Sequence, residues 1–289
     1  MTYSAEISRS QPALLGFLID QSASMEDNMA GTSFPKCEMV AQYLDAFFQK
    51  LMLKNVEGNT VKNRFDIFAL GYNGMDGVYS VLNGIDHEQF PVNLERLQGS
   101  SQLATRKKKS IKREPDGAGG IIETPVEEEI KVPQWINPVA KGGTPMNEAF
   151  IQAHHITSNW ILQHAKSYPP IIINITDGMF NTEDPEPVSR QLRELVTDDG
   201  NVLFFNVHIS EDGQITPVSF PDRNSFNPEN ELASKLFMMS SNLVESMIKY
   251  AQSKDKSVSP GAVGFSYNAD FGSFIEFLDI GTRPAMSDS

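Results

Sequence analysis

Five apolar runs separated by helical patterns limit most strongly what this chain can fold into. ALLGFLID (13–20), RFDIFALGY (64–72), IIINITD (171–177), NVLFFNVHIS (201–210) and GAVGFSY (261–267) read as strands. The first, third and fourth are almost unbroken Leu, Ile, Val and Phe. A half-exposed strand alternates apolar with polar, so an unbroken run marks a strand covered on both faces, as in a parallel sheet between helical layers. Val40, Leu44, Phe47, Phe48 and Leu51 recur at helical spacing, and so do Met146, Phe150, Ala153, Ile156 and Trp160 within 145–166. Further helices are expected over 187–197, over about 229–252, and where Phe271, Phe274, Ile275 and Leu278 share one face. This alternation predicts a doubly wound α/β fold, a mostly parallel central sheet flanked by helices, in one domain over 10–281.

Residues 99–133 break the rhythm, running basic, then glycine-rich, then acidic. They are expected to form an insertion, part mobile loop and part hairpin, and 282–289 a frayed tail. The net charge of −13 opposes long-range attraction to nucleic acid or an anionic membrane. A single cysteine, Cys37, excludes an intramolecular disulfide and a cysteine-based zinc cluster. Residues 1–12 hold no apolar signal core and no run is long enough to span a bilayer, so a cytoplasmic protein is expected.

In an open parallel sheet, ligands bind beyond the carboxyl ends of the strands. Asp20 ends the first strand and Asp177 another, while KGGTPMNEA places Thr144 before Pro145 at a helix start. With Ser22 and Ser24, these side chains offer oxygen alone, which suits Mg²⁺ or Mn²⁺ rather than zinc or copper. Three hydroxyls and two carboxylates, some acting through water, leave a cation an open position that an incoming carboxylate satisfies. Each piece also has an ordinary explanation. Ser22 and Ser24 suit a turn, Thr144 before Pro145 suits a helix cap, and Asp177–Gly178 suits a turn. All of these must hold together for the cation to be unnecessary.

DQSAS (20–24), GGTPM and ITDG, in that order, resemble the three parts of the metal-ion-dependent adhesion site of von Willebrand factor A domains. The resemblance covers about residues 10–280. It implies that Ser22, Ser24 and Thr144 ligate the cation through hydroxyls. Asp20 and Asp177 would bind it directly or through water, and a partner's Asp or Glu would complete the shell. NWILQHAKSYPPIIINITDG, TDDGNVLFFNVHIS and FIEFLDIGTR look similar to the intracellular bacterial branch. Members of that branch accompany kinases, phosphatases or AAA+ ATPases, some in tellurium resistance. The 120 positions from Ser24 to Thr144 (144 − 24) exceed the family's compact spacing, and 99–133 supply the excess. Glu26 and Asp27 could shape the loop or compete for cation.

Two rival functions are weaker. A Mg²⁺-dependent aspartyl-phosphate hydrolase wants an acid/base Asp two residues after its nucleophile, where this chain has Ser22, and no phosphate-binding loop or nucleophile elbow is present. His154 and His155 are adjacent and point to different helix faces, and His87, His164 and His208 stand alone, so structural or surface roles are expected. Arg106, Lys107, Lys108, Lys109, Lys112 and Arg113 could dock nucleic acid or protein. No aromatic is interleaved for stacking, however, and Glu123 and Glu127–Glu129 follow closely. A non-enzymatic binding module is therefore expected.

Overall fold

The computed structural model describes residues 3–58, 60–115, 121–178, 180, 183–209, 214–224, 226, 230–254 and 256–282, with the side chains of 107–110, 112–115, 121–123, 125, 127 and 271 excepted. The chain forms β1 (Ala13–Asp20), α1 (Lys36–Lys54), β2 (Phe65–Asn73), β3 (Gly77–Ser80), β4 (Val92–Asn93), α2 (Leu94–Ser100), β5 (Gln102–Pro115), β6 (Ile121–Gln134) and α3 (Met146–Gln163). It continues through β7 (Ile171–Thr176), α4 (Glu186–Glu194), β8 (Leu203–Ile209), β9 (Val218–Ser219), α5 (Glu231–Met239), α6 (Glu245–Ser253), β10 (Phe265–Ala269) and α7 (Phe271–Gly281). The central sheet has the order β9-β10-β8-β7-β1-β2-β3, with β4 also paired to β2. Its five middle strands are mutually parallel, and β3, β4 and β9 add antiparallel edges. This is the doubly wound α/β arrangement expected from the strand runs.

Strand alternation explains the unbroken apolarity. Leu15, Phe17 and Ile19 of β1 pack on one face with α1, α2, α6 and α7. Leu14 and Leu18 pack on the other with α3, α4 and α5. Gly16 lies on the second face because nothing larger fits: a Cβ there would sit 2.2 Å from Phe68 Cζ and 2.7 Å from Ile172 Cδ1. Among the described residues, no helix is long and apolar enough to cross a membrane.

Three expectations need correction. Residues 229–252 form two helices, because 240–244 pair outward: Ser241 N donates to Phe204 O at 2.7 Å and Leu243 N to Ala262 O at 2.8 Å. The last strand lies at Phe265–Ala269, since Val263 and Gly264 donate to Pro221 O and Ser241 O before pairing begins. The tail loses its first residue to the fold: Thr282 is buried and its hydroxyl donates to Leu278 O. Residues 283–289 lie outside the described ones.

Within the insertion, β5 and β6 form the expected hairpin, a long antiparallel one, and residues 116–120, where a loop is expected, lie outside the described residues. Its register sets Lys107, Lys108 and Lys109 opposite Glu129, Glu128 and Glu127, and Arg113 opposite Glu123. Opposite charges facing across a ladder favour pairing within the hairpin. At its base, buried Asp45 of α1 accepts from Trp135 N (2.8 Å) and Ile136 N (3.2 Å) and pairs with Arg106 at 3.0 Å. Burial outweighs these partners and pushes the Asp45 carboxyl up to about 6. A folded value above the unfolded one means that folding takes up a proton, so this group's contribution to stability falls as pH rises from about 4 to about 6. Asp45→Asn keeps the two amide bonds and removes the ionisation. Between pH 4 and 7, its stability relative to wild type is expected to improve by about 1 to 3 kcal/mol, read from urea unfolding at both values. A constant difference would show that Asp45 does not titrate in this range.

Candidate metal centre

The chain leaves β1 through α1 to β2 on one side and later enters β7 on the other, so the carboxyl ends of β1 and β7 flank the switch point of the sheet. Register pairs Ile19 with Ile175, setting Asp20 beside Thr176 and just before Asp177. The Thr176 hydroxyl donates to Asp20 Oδ2 at 2.6 Å, and Ser22 N donates to Asp20 Oδ1 at 2.8 Å. The Thr144 loop is stitched on by backbone bonds: Ala23 N donates to Gly142 O at 2.9 Å and Lys141 N to Gln21 O at 2.8 Å. Gly142 takes φ +67, and a Cβ there would lie 2.9 Å from Met75 N, so this crossing requires glycine. Thus the three segments singled out in the sequence meet at one crevice.

The ordinary explanations hold only in part. Ser22 N closes a turn onto Asp20, and Gly178 takes φ +101 in a turn whose N–H donates to Thr176 Oγ1. The hydroxyls themselves are used otherwise. Ser22 precedes a short helix without capping it, and its Oγ lies 3.1 Å from Ser24 Oγ. Helix α3 is capped by Pro145, whose ring offers no acceptor, and Thr144 stands one residue before that cap.

Asp20 is fully buried. Burial first, and the Asp177 carboxylate second, push its carboxyl up to about 7, against the hydrogen bonds from Ser22 and Thr176. Asp177 Oδ2 meets a group the sequence reading missed, the Lys36 ammonium, at 3.0 Å with both side chains nearly inaccessible. Lys36 stands four residues before Val40, on the apolar stripe of α1 and in its first turn, where the helix dipole disfavours a cation. That misplacement was the available signal. Asp177 Oδ1 is buried and has no hydrogen-bond partner among the described residues.

His208 is buried nearby, packs on Gly178, stacks on Tyr267 and accepts at Nδ1 from Asn268 N. Burial outweighs the attraction of Asp177 and holds its pKa down at about 4, so it is a neutral structural group at pH 7. Beneath the site a buried polar row crosses the sheet. Tyr72 OH donates to Asn174 Oδ1 (2.8 Å), Asn174 Nδ2 to Asn206 Oδ1 (2.9 Å), and Asn206 Nδ2 to Ser240 Oγ (3.0 Å).

Among the described residues, no group of three or more His, Cys, Asp or Glu could hold a metal, so a cation here would depend on the hydroxyls. The donors fit a hard dication: all offer oxygen, one buried carboxylate oxygen lacks a partner among the described residues, and the charge of Asp177 opposes that of Asp20.

No model of a known protein family and no curated protein matches this sequence. A proximal thread matrix protein from the mussel byssus is 12% identical with TM-score 0.41, over 82% of this chain and 42% of that one. A pilus adhesin from Lactobacillus rhamnosus is 12% identical with TM-score 0.44, over 80% of this chain and 28% of that one. An aerotolerance-related membrane protein from Bacteroides fragilis is 12% identical with TM-score 0.35, over 76% of this chain and 78% of that one. The chain thus spans less than half the length of the first two. Likenesses at these scores carry no functional weight, which falls on the site's own chemistry.

Proposed function

We propose that this chain is a divalent-cation-dependent protein-binding module of the von Willebrand A type, in which Asp20, Ser22, Ser24, Thr144 and Asp177 hold Mg²⁺ or Mn²⁺. Bound there, the cation supplies an electrophilic position for a partner's Asp or Glu carboxylate. The observation that carries the reading is the meeting of two buried, mutually repelling carboxylates with a hydroxyl-bearing loop stitched across them. Asp20 is fixed by two hydrogen bonds to its own neighbourhood, which leaves Asp177 Oδ1 as the carboxylate oxygen most available to a cation.

Exposed Met75, whose backbone lies against Gly142, stands beside the Thr144 loop and gives a partner apolar contact. A hydrolase is disfavoured by the surroundings of the two acids: position 22 is a hydroxyl, and His208 is held neutral with Nδ1 engaged. Nucleic-acid docking through 106–113 is disfavoured by the hairpin register, which sets Lys107, Lys108, Lys109 and Arg113 opposite glutamates. The finer placement is a cytoplasmic bacterial scaffold or regulator, in tellurium resistance or a related stress response, whose acidic partner is a kinase, phosphatase or AAA+ ATPase.

Panning a random peptide library on the full chain in Mg²⁺ tests the binding mode. Retained peptides are expected to share an Asp or Glu, to elute with EDTA, and to bind Asp20→Ala at least tenfold more weakly, about 1.4 kcal/mol or more. Retained peptides without an acid, or peptides indifferent to EDTA, would overturn it.

A further inference from the structure

Another cleft, of mixed polar and apolar lining, opens at the other end of the sheet. It has a volume of about 760 Å³ and lies beside Val202 and Leu203, where β8 begins, whereas the two acids lie at the carboxyl ends of β1 and β7. Seven residues of β8 separate the two ends, about 20 Å of extended chain. Arg193 from α4 and Arg223 from the segment before α5 both line the cleft, half-buried.

Neither guanidinium forms an ion pair with a carboxylate among the described residues. Arg193 Nε donates to Ser189 O at 3.3 Å, while Arg223 donates to Asn242 Oδ1 at 3.0 Å and to Ser240 O. All of these acceptors are neutral, and a guanidinium does not shed its proton to escape burial. Burial lowers the pKa of both, and at Arg193 the charge of Arg223 adds to it, offset in part by Glu186 and Glu194. Arg223 also reaches Met238 Sδ at 3.9 Å and lies 5.5 Å from the centroid of the Phe237 ring, yet two half-buried cations lining one cleft, in a chain of net charge −13, favour an anion there.

Two more features border the same space. The first turn of α6 has no side-chain cap, and Lys249 lines the wall. Glu245, also on the wall, is exposed and paired with Lys249 at 2.6 Å, which offsets its repulsion of an anion. The volume suits a small molecule rather than a bare inorganic ion.

We propose that this cleft binds a phosphorylated small molecule of about nucleotide size, its phosphate groups held between Arg193 and Arg223. Guanidinium forks grip phosphate oxygens in pairs, and the uncapped amides of α6 favour the same charge. This inference is independent of the metal reading, because it uses none of the five oxygens at the opposite end.

The test is calorimetric titration of inorganic phosphate, pyrophosphate and ADP into the full chain with EDTA present, so that no divalent cation reports on the other site. The variants are Arg193→Gln and Arg223→Gln. Arg193→Gln is the cleaner of the two, since the described side-chain bond of Arg193 stays within its own helix. Saturable one-to-one binding of pyrophosphate or ADP is expected, tighter than that of phosphate. It should weaken about tenfold or more in Arg193→Gln at unchanged melting temperature, and stay unaltered in Asp20→Asn. No saturation by any of the three anions into the millimolar range overturns the proposal. So does wild-type affinity in both arginine variants, which would place the anion elsewhere.

Discussion

Asp20→Asn is expected to raise the melting temperature of chelator-stripped protein and to abolish the stabilisation that Mg²⁺ gives the wild type. Without a cation, Asp20 is a fully buried carboxylate beside a second one, and both facts oppose its ionisation at neutral pH. The amide has nearly the same shape. Its oxygen can keep the bond from Ser22 N, and the Thr176 hydroxyl, which already accepts from Gly178 N, can turn to accept from the new amide. Removing the charge should therefore add about 2 to 4 kcal/mol at pH 7, or several degrees in Tm. The cost falls on binding: wild type at a hundredfold excess of Mg²⁺ over Kd gains about 2.7 kcal/mol, and the variant should gain none. A variant destabilised in EDTA would mean that Asp20 is held by structure alone and that the like-charge repulsion is not felt.

Lys36→Met is expected to do the reverse. The ammonium on Asp177 Oδ2 is a built-in counter-charge in the place where a cation would act. Removing it leaves a buried carboxylate without its partner, a loss of about 3 to 5 kcal/mol for pairs broken in this way. Divalent affinity should rise about tenfold or more, because the cation no longer competes with a neighbouring positive charge, and added Mg²⁺ should recover much of the lost stability. Melting curves with and without Mg²⁺, together with Mn²⁺ titrations, read both effects. An unchanged or weaker Kd would show that Lys36 supports the site, for instance by meeting the incoming carboxylate, rather than competing in it.

The skeleton of the fold was legible because β1, β7 and β8 are buried on both faces, and burial on both faces leaves no polar alternation to misread. Asp20 and Asp177 stood out as acids closing such runs. Less visible were features created by tertiary pairing. The apolar period of 229–252 continues through Leu243 and Val244 without a break, and only the bonds of Ser241 and Leu243 to neighbouring segments end the helix at Met239. Asn174 and Asn206 sat inside apolar runs with no local mark of the row they form with Tyr72. In 99–133 the basic and acidic halves were plain, but their register across β5 and β6 depends on the whole ladder. Lys36 was readable in principle, as a charge on the buried stripe of α1, and its meaning required Asp177 beside it.

The cation assignment is tested most directly by calorimetric titration of Mn²⁺ into chelator-stripped full chain, with Asp20→Ala and Thr144→Val alongside. One-site binding is expected in the wild type, absent from Asp20→Ala and weakened about tenfold or more in Thr144→Val. A wild type that takes up no Mn²⁺ even with an acidic peptide present, or an Asp20→Ala protein that binds it as the wild type does, would contradict the assignment of these five residues to a metal.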